Sequence, residues 1–446
     1  MAYPTISYNS STGSNTDPFD CVASSVSTSQ TASGTGAGTT ITFSAAVDLS
    51  ACADDDTDFI WVNTASGDRH LFQITAFTGG LSTCTAVTVA ESIDATFSAA
   101  AWHVNGTRLD FDQDTSNTDF NDLGVGWTVE LNGSFTQTAE PSLGAYHSGA
   151  AVTDDVIKIV AASSASSRPT LDVQANVNLV KISNHVNVVV RGIELTCSTG
   201  GGTQSYINVS LGGLTLIDTV VTAPGGSANQ LMRVEFGDRA VRLFDCYLSG
   251  GSQYIFNASN LTFPVHVANC WFDGADTYGS VSAVYVGADS LFLTNTLVTK
   301  ATGDGVQVAP LPSWTGSDNQ TTLYNVTVAD CAGDGFSATD AENSDSSPRA
   351  AFNLVNCLFA NNGAYGVSTD RAGGGIDPAR GYIDYNCVFN NTSGGYSETG
   401  VAGPNDITIT ADPFTDVAND DFTLNNTANA GAVLRDAALY DLPDGT

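Results

Sequence analysis

The sequence predicts an all-β chain: a right-handed parallel β-helix, or solenoid, preceded by a small N-terminal β domain. Three observations predict it. A polar corner residue followed by a small residue recurs through the second half of the chain. The composition favours turns, with 44 Gly but only 14 Lys and Arg among 446 residues. Short runs of alternating apolar and polar residues, separated by Gly, Asn and Asp clusters, come before the repeat. Abundant turn formers and few helix formers point to strands joined by many corners. An apolar content of 42% supplies a sizeable core.

The repeat is read from the pairs Arg191-Gly192, Asp218-Thr219, Asp245-Cys246, Asn269-Cys270, Asn295-Thr296, Asn325-Val326, Asn356-Cys357 and Asn386-Cys387. They follow one another at steps of about 24 to 31 residues, the kind of period that marks a solenoid. Two positions before the corner stand Val189, Leu216, Leu243, Val267, Leu293, Leu323 and Leu354, and three positions after it Val221, Leu248, Phe272, Val298, Val328, Phe359 and Phe389. Glu194 in the first copy and Asp384 in the last break this pattern. Around the last copy, Ile383 and Tyr385 suggest a shifted register or a bulge. No helical periodicity interrupts the copies, so each reads as a coil of short strands.

The corner residue has a physical reason. A tight bend between strands calls for left-handed backbone, which Asn and Asp adopt at low cost. Stacked amides also bond along the axis. Asp218, Asp245, Asn269, Asn295, Asn325, Asn356 and Asn386 are therefore expected to form a corner ladder. The next position must be small, which places Cys246 beside Cys270 and Cys357 beside Cys387 in an internal stack of free thiols.

Before the repeat, residues 1–40 read as an N-terminal arm rich in Ser, Thr, Gly and Asn. Residues 41–122 read as a small β domain with a polar linker at 111–122, built on Ile41-Thr-Phe43, Phe59-Ile-Trp-Val62, His70-Leu-Phe-Gln-Ile74, Ala86-Val-Thr-Val89 and Ala101-Trp-His-Val104. The β-helix is expected over 123–425 and a C-terminal tail or cap over 426–446. Each coil buries its face only against its neighbours, so the ends need caps.

The formal net charge is −33. Such a surface repels nucleic-acid backbones and anionic lipid, which argues against both as partners. The opening Met1-Ala-Tyr-Pro4 has neither a basic n-region nor an apolar h-region, and no stretch reaches a membrane span. The expectation is synthesis in a cytoplasm without the usual export. Nine cysteines form no zinc pattern, and Asp54-Asp-Asp56 reads as a solvated turn rather than a calcium site. No metal and no cofactor is expected.

Residues from about 123 to 425 resemble the pectate-lyase-like right-handed β-helix superfamily. The resemblance lies in Gly126-Trp-Thr-Val-Glu-Leu-Asn-Gly-Ser-Phe-Thr-Gln137, in Val188-Val-Val-Arg-Gly-Ile-Glu-Leu195 and in the closing segment Ala411–Leu424. Ala101-Trp-His-Val-Asn-Gly-Thr-Arg108 resembles a junction in β-helical virion proteins of tailed phages. The resemblance implies a virion-surface protein: first a structural capsid decoration or cement-like spike, not an enzyme, and second a tailspike that binds or cleaves host-surface polysaccharide. A secreted or cell-surface carbohydrate-active protein stands third. It also implies a homotrimer, attached through the N-terminal region to the major capsid protein or another virion protein.

Candidate chemistry is sparse. Glycoside hydrolysis needs two carboxylates about 5–9.5 Å apart, and Asp304 and Asp334, in two Gly-Asp-Gly sequences one copy apart, are the best pair. The same sequence is ordinary turn chemistry, and Asp273 holds a similar post-strand position. Arg233, Arg239 and Arg242 read as charge compensation, and His70, His103, His147, His185 and His266 as surface or filler residues. Trp314 sits in a lengthened copy, where an exposed ring would stack on sugar or anchor a neighbouring subunit.

Overall fold

The computed structural model describes the strands and most of the short turns. Outside the description lie 1–4, 10–22, 25–29, 51–58, 64–68, 106–126, 138–141, 145–155, 174–179, 197–204, 224–229, 236–239, 260–263, 275–281, 309–318, 340–349, 371–380, 398–401 and 437–446, with a few isolated positions. The chain is a parallel β-solenoid with a small antiparallel sheet near its N-terminus. It divides into two compact units, Met1–Ser198 with Leu211–Gly213, and Thr199–Ser210 with Leu214–Thr446.

In the first unit, Thr5–Asn9 pairs in parallel with Trp127–Asn132, which pairs with Val156–Ala161, which pairs with Val186–Arg191. Ser134–Gln137, Thr170–Val173 and Glu194–Thr196 build a second parallel sheet, and Ser142–Gly144 with Val180–Ser183 a third. Part of the expected N-terminal arm is thus a solenoid strand. The antiparallel sheet is spliced in between the solenoid's first two strands. Phe97–Asn105 pairs with Ala32–Gly34 along one stretch and with Phe59–Asn63 along another, and this closes the sheet on itself. Ala99 takes a positive φ of 51° where the strand changes partner. Ile41, Ile60, Val62, Ile74, Val87 and Trp102 fill the interior. The Trp102 ring meets Phe43 at 4.6 Å, and its indole N–H donates to the Gln30 carbonyl at 3.0 Å. The expected linker at 111–122 lies outside the described residues.

In the second unit each coil contributes one strand to each of three parallel sheets. The first sheet contains Val241–Phe244, Val265–Ala268, Ser290–Thr294, Asn319–Tyr324, Ala350–Val355 and Gly381–Asp384. The second contains Val220–Ala223, Tyr247–Gly250, Trp271–Asp273, Leu297–Thr299, Thr327–Ala329, Leu358–Ala360 and Cys387–Phe389. The third runs from Ser205–Val209 through Gln230–Glu235, Tyr254–Ser259, Ser282–Gly287, Val306–Val308, Phe336–Thr339 and Tyr365–Asp370 to Gly394–Tyr396. Strand alternation sends every second side chain inward. Leu243, Leu293, Phe272, Phe359, Phe256 and Phe336 are fully enclosed.

The corner between the first and second sheets is left-handed in each described copy. Positive φ angles of 48° to 55° occur at Asp218, Asp245, Asn269, Asn295, Asn325 and Asn356. Asn269 donates its amide to Asp245 at 3.1 Å, and Asn325 donates to Asn295 at 3.1 Å. The first and last copies correct the sequence alignment by one residue. Gly192 (φ 69°) and Tyr385 (φ 59°) hold the left-handed positions, not Arg191 and Asn386. With that shift, Val190 and Ile383 take the inward place before the bend, and Leu195 and Val388 the place after it. The exceptions Glu194 and Asp384 disappear.

The residue after the bend is small for a second reason. It reaches back over the corner to the carbonyl two residues earlier. Thr219, Cys246, Cys270, Thr296 and Cys357 all donate this way, at 2.9 to 3.3 Å. Cys246 and Cys270 are neighbours in successive coils. Cys357 faces Asn386 instead of Cys387, because Cys387 lies in the strand opposite Leu358. Asn386 is fully buried; its Oδ1 accepts the Cys357 N–H at 2.8 Å and its Nδ2 donates to the Leu354 carbonyl at 2.8 Å.

A second left-handed corner, which the sequence reading missed, follows the second sheet at Lys300, Asp330, Asn361 and Asn390. Asn390 donates to Asn361 at 2.9 Å. One position on, Asn362 and Asn391 form an internal amide stack, joined at 2.9 Å.

The C-terminal segment 402–436 is more than a closing plug. Ile407 adds a parallel bridge beside Cys387. The chain then runs back over the outer face of the second sheet, where Ile409, Phe414 and Phe422 pack on Leu358 and Ala360. Asp420 forms an ion pair with Lys300.

Candidate functional site

Asp304 and Asp334 enter the third sheet just before Val306–Val308 and Phe336–Thr339. They stack one coil apart, and neighbouring parallel strands lie about 4.8 Å apart. Asp304 Oδ1 accepts the Asp334 N–H at 2.8 Å, and Asp334 Oδ1 accepts the Tyr365 N–H at 2.7 Å. Both carboxylates therefore brace one coil to the next. Burial pushes the Asp304 carboxyl above its ordinary value. The Asp334 N–H pulls against that shift, the Asp334 charge adds to it, and a hydrogen bond with Ser337 opposes it.

The two outer rows of the second sheet are closed off. Tyr247 and Trp271 meet edge to face at 5.1 Å. The Tyr247 hydroxyl donates to Asp273 at 2.8 Å and the Trp271 indole to Thr299 at 2.9 Å. Asp273 is thus a buried partner of Tyr247. On the first sheet, Arg242 and His266 stand opposite each other, and His266 stacks on Phe292 at 5.0 Å. Burial and the Arg242 charge hold His266 below its ordinary value.

The outer face of the third sheet is different. Register places Asn208, Arg233, Asn257 and Tyr285 opposite one another in successive coils, and Gln230 opposite Tyr254. Tyr254 and Tyr285 lie 4.8 Å apart with their rings tilted at 41°. Sequence reasoning missed this group, because it depends on register across four coils whose lengths differ. The residue types alone, Asn, Gln and Tyr on strands, were the available signal.

Trp314, Arg239, His147 and His185 lie outside the described residues. Among the described residues no cluster of three or more His, Cys, Asp or Glu is placed to hold a metal ion. No described helix is long and apolar enough to cross a membrane.

No family model and no curated protein matches the chain. Solved structures that match include the tailspike protein gp49 from Pseudomonas phage LKA1, at 13% identity and a TM-score of 0.21, covering 84% of this chain and 64% of that one. The chain thus spans under two thirds of that tailspike. They also include the catalytic domain of a GH87 α-1,3-glucanase, in complex with tetrasaccharides (10% identity, TM-score 0.24) and with nigerose (11%, 0.20), each covering 89% of this chain and 98% of that one. Likeness at this level assigns no activity. It does correct the expectation that the chain is not an enzyme, since catalytic domains that act on a glucan stand among the matches. The chain is a parallel β-solenoid with a spliced-in antiparallel module, similar to a phage tailspike and to glucanase catalytic domains.

Proposed function

We propose that the chain is a surface spike of a tailed-phage virion, a homotrimer whose antiparallel module attaches it to the major capsid protein or another virion protein. The observation that carries this reading is the splice. The module leaves the solenoid after Thr5–Asn9 and rejoins it at Trp127–Asn132, two strands that pair directly. A module tied at both ends to paired strands of the solenoid transmits load into it without a single hinge. Ala101–Asn105 of the phage-like junction fall in the module's last strand, and the acidic surface keeps densely arrayed copies from associating non-specifically. Immunogold labelling of purified particles with antibody to residues 123–446 tests the reading. Gold over the head supports a decoration protein, gold on the tail a tailspike, and unlabelled particles overturn both.

A second reading, a tailspike that binds or cleaves host-surface polysaccharide, is favoured by the polar and aromatic outer face of the third sheet and by the stacked Asp304 and Asp334. Its test is release of reducing ends from host polysaccharide by the wild type and by Asp304→Asn and Asp334→Asn. Loss in either variant supports a role for that carboxylate. Unchanged cleavage in both removes the pair.

A further inference from the structure

Alternation sends Leu243, Val267, Leu293, Leu323, Leu354 and Ile383 of the first sheet into the core. Register then sets Arg242, His266, Phe292, Thr322, Asn353 and Tyr382 in one outward row across six coils. Phe244, Ala268, Thr294, Tyr324 and Val355 make a second outward row beside it. Each of these residues is partly or fully exposed. The other two sheets differ. Ser249, Asp273 and Thr299 on the second, and Asn257, Ser337 and Ser368 on the third, point outward yet are buried.

The two rows have the composition of a protein contact, with Phe, Tyr and Arg present and carboxylates absent. The second row ends at Asp384, which is only 4% exposed and already bonded. Tyr382 is 51% exposed, while its hydroxyl is held by Asp384. Phe292 is held by the stacked His266 ring. Rings fixed in place before a partner arrives lose little freedom on binding.

Charge selects the partner. Two copies of a chain with a net charge of −33 repel each other, so they meet at least cost through a face without carboxylates. The same face also carries both halves of a charge pair. Arg242 is exposed and makes no ion pair among the described residues. Asp245 is exposed at the corner three positions on, in the same coil. A cyclic axis along the direction of coil stacking keeps equivalent coils level, which brings the arginine of one copy to the height of the aspartate of the next.

We propose that the outer face of the first sheet is the contact between copies in the homotrimer. The Arg242 row of one copy lies against the Phe244 row and the Asp245 corner of the next. The inference rests on the homotrimer of the reading above and names its interface.

Sedimentation equilibrium of the full-length protein tests it, on the wild type, Arg242→Glu, Thr322→Glu, the double variant Arg242→Glu with Asp245→Lys, and the control Ala428→Glu on the exposed C-terminal segment. Lys300 shows that a lysine takes a left-handed corner in this fold. The expected result is a wild-type and control trimer, association weakened at least about tenfold in both single face variants by the like charge placed in the contact, and recovery in the double variant. The β-sheet circular dichroism should stay that of the wild type throughout. Trimers that persist in both face variants keep the homotrimer and overturn the face. A double variant no tighter than Arg242→Glu overturns the pairing of Arg242 with Asp245. Loss of the β-sheet signal in the dissociated variants assigns these residues to the fold, and equal weakening in the control assigns the effect to net charge; either overturns the face. A monomeric wild type overturns both the face and the homotrimer it rests on.

Discussion

Asp384 and Asn405 are joined twice: the Asp384 carboxylate accepts the Asn405 backbone N–H at 2.8 Å and its side-chain amide at 2.9 Å. The same carboxylate takes the Tyr385 N–H at 3.0 Å, which holds Tyr385 in its left-handed bend, and the Tyr382 hydroxyl at 3.1 Å. Burial opposes its ionisation, but these bonds outweigh burial and keep the carboxyl below its ordinary value.

A pH dependence follows from that sign. With a folded value below the unfolded one, Asp384 stabilises the C-terminal end above the ordinary aspartate range, and this is lost as pH falls through the folded value. Limited proteolysis from pH 6 down to about 2 should show cleavage within 402–436 beginning below the ordinary aspartate value of about 3.9. Asp384→Ala should cost on the order of 3 kcal/mol in urea unfolding, as expected for loss of charge-assisted bonds.

Asp304 has the opposite sign. Burial raises its folded value, so its contribution to stability is full below the unfolded value and falls as pH rises toward the folded one. Asp304→Asn keeps an acceptor for the Asp334 N–H and removes the buried charge, so at pH 7 it should melt no lower than wild type. Asp334→Ala strands the Tyr365 N–H and should cost about 1–3 kcal/mol. Thermal melts of the two variants at neutral pH check both.

The corner positions separate backbone from side-chain effects. Asn325 has a φ of 54° and donates to Asn295. Asn325→Ala should lose about 1–2 kcal/mol from the left-handed backbone alone, and Asn325→Gly less, since Gly carries no Cβ penalty. At the next position, Cys246→Thr keeps the donor to the Phe244 carbonyl and should be tolerated, while Cys246→Val should cost about 1 kcal/mol. Urea titrations rank the four variants.

The thiols are predicted to be silent until the chain unfolds. All six described cysteines are free and buried. Burial pushes Cys331, Cys357 and Cys387 up to about 12. For Cys270 the hydrogen bond shared with Cys246, and then burial, act in the same direction. A thiolate-reactive probe at pH 7.5 should label these positions in urea without reductant and not in the native protein, as peptide mapping by mass spectrometry would show.

Phe414 is 4% exposed and sits edge to face with Phe422 at 5.4 Å, on the segment that covers the second sheet. Phe414→Ala should cost about 3–5 kcal/mol, and proteolysis should then begin in this segment. Lys300→Ala removes only a partly exposed ion pair with Asp420 and should change stability by under about 1 kcal/mol.

The solenoid was legible in the sequence because its bends need left-handed backbone, and Asn and Asp advertise that need from Asp218 to Asn356. The alignment slipped at Gly192 and Tyr385 because it followed residue identity instead of the inward and outward alternation of Val190, Leu195 and Ile383. The corner at Lys300, Asp330, Asn361 and Asn390 was hidden by a lysine, a residue that seldom marks a left-handed bend. The outer face of the third sheet was invisible for another reason. Asn208, Arg233 and Asn257 become neighbours only once the loops between coils set the register.

The splice at the N-terminus also orders events during synthesis. Thr5–Asn9 leaves the ribosome well before its partner Trp127–Asn132, which appears only after the entire antiparallel module. That pairing carries a large loop-closure entropy, whereas the coils that follow close on close neighbours in the chain. The module and the later coils are therefore free to form early, and Thr5–Asn9 is among the last strands to find its place.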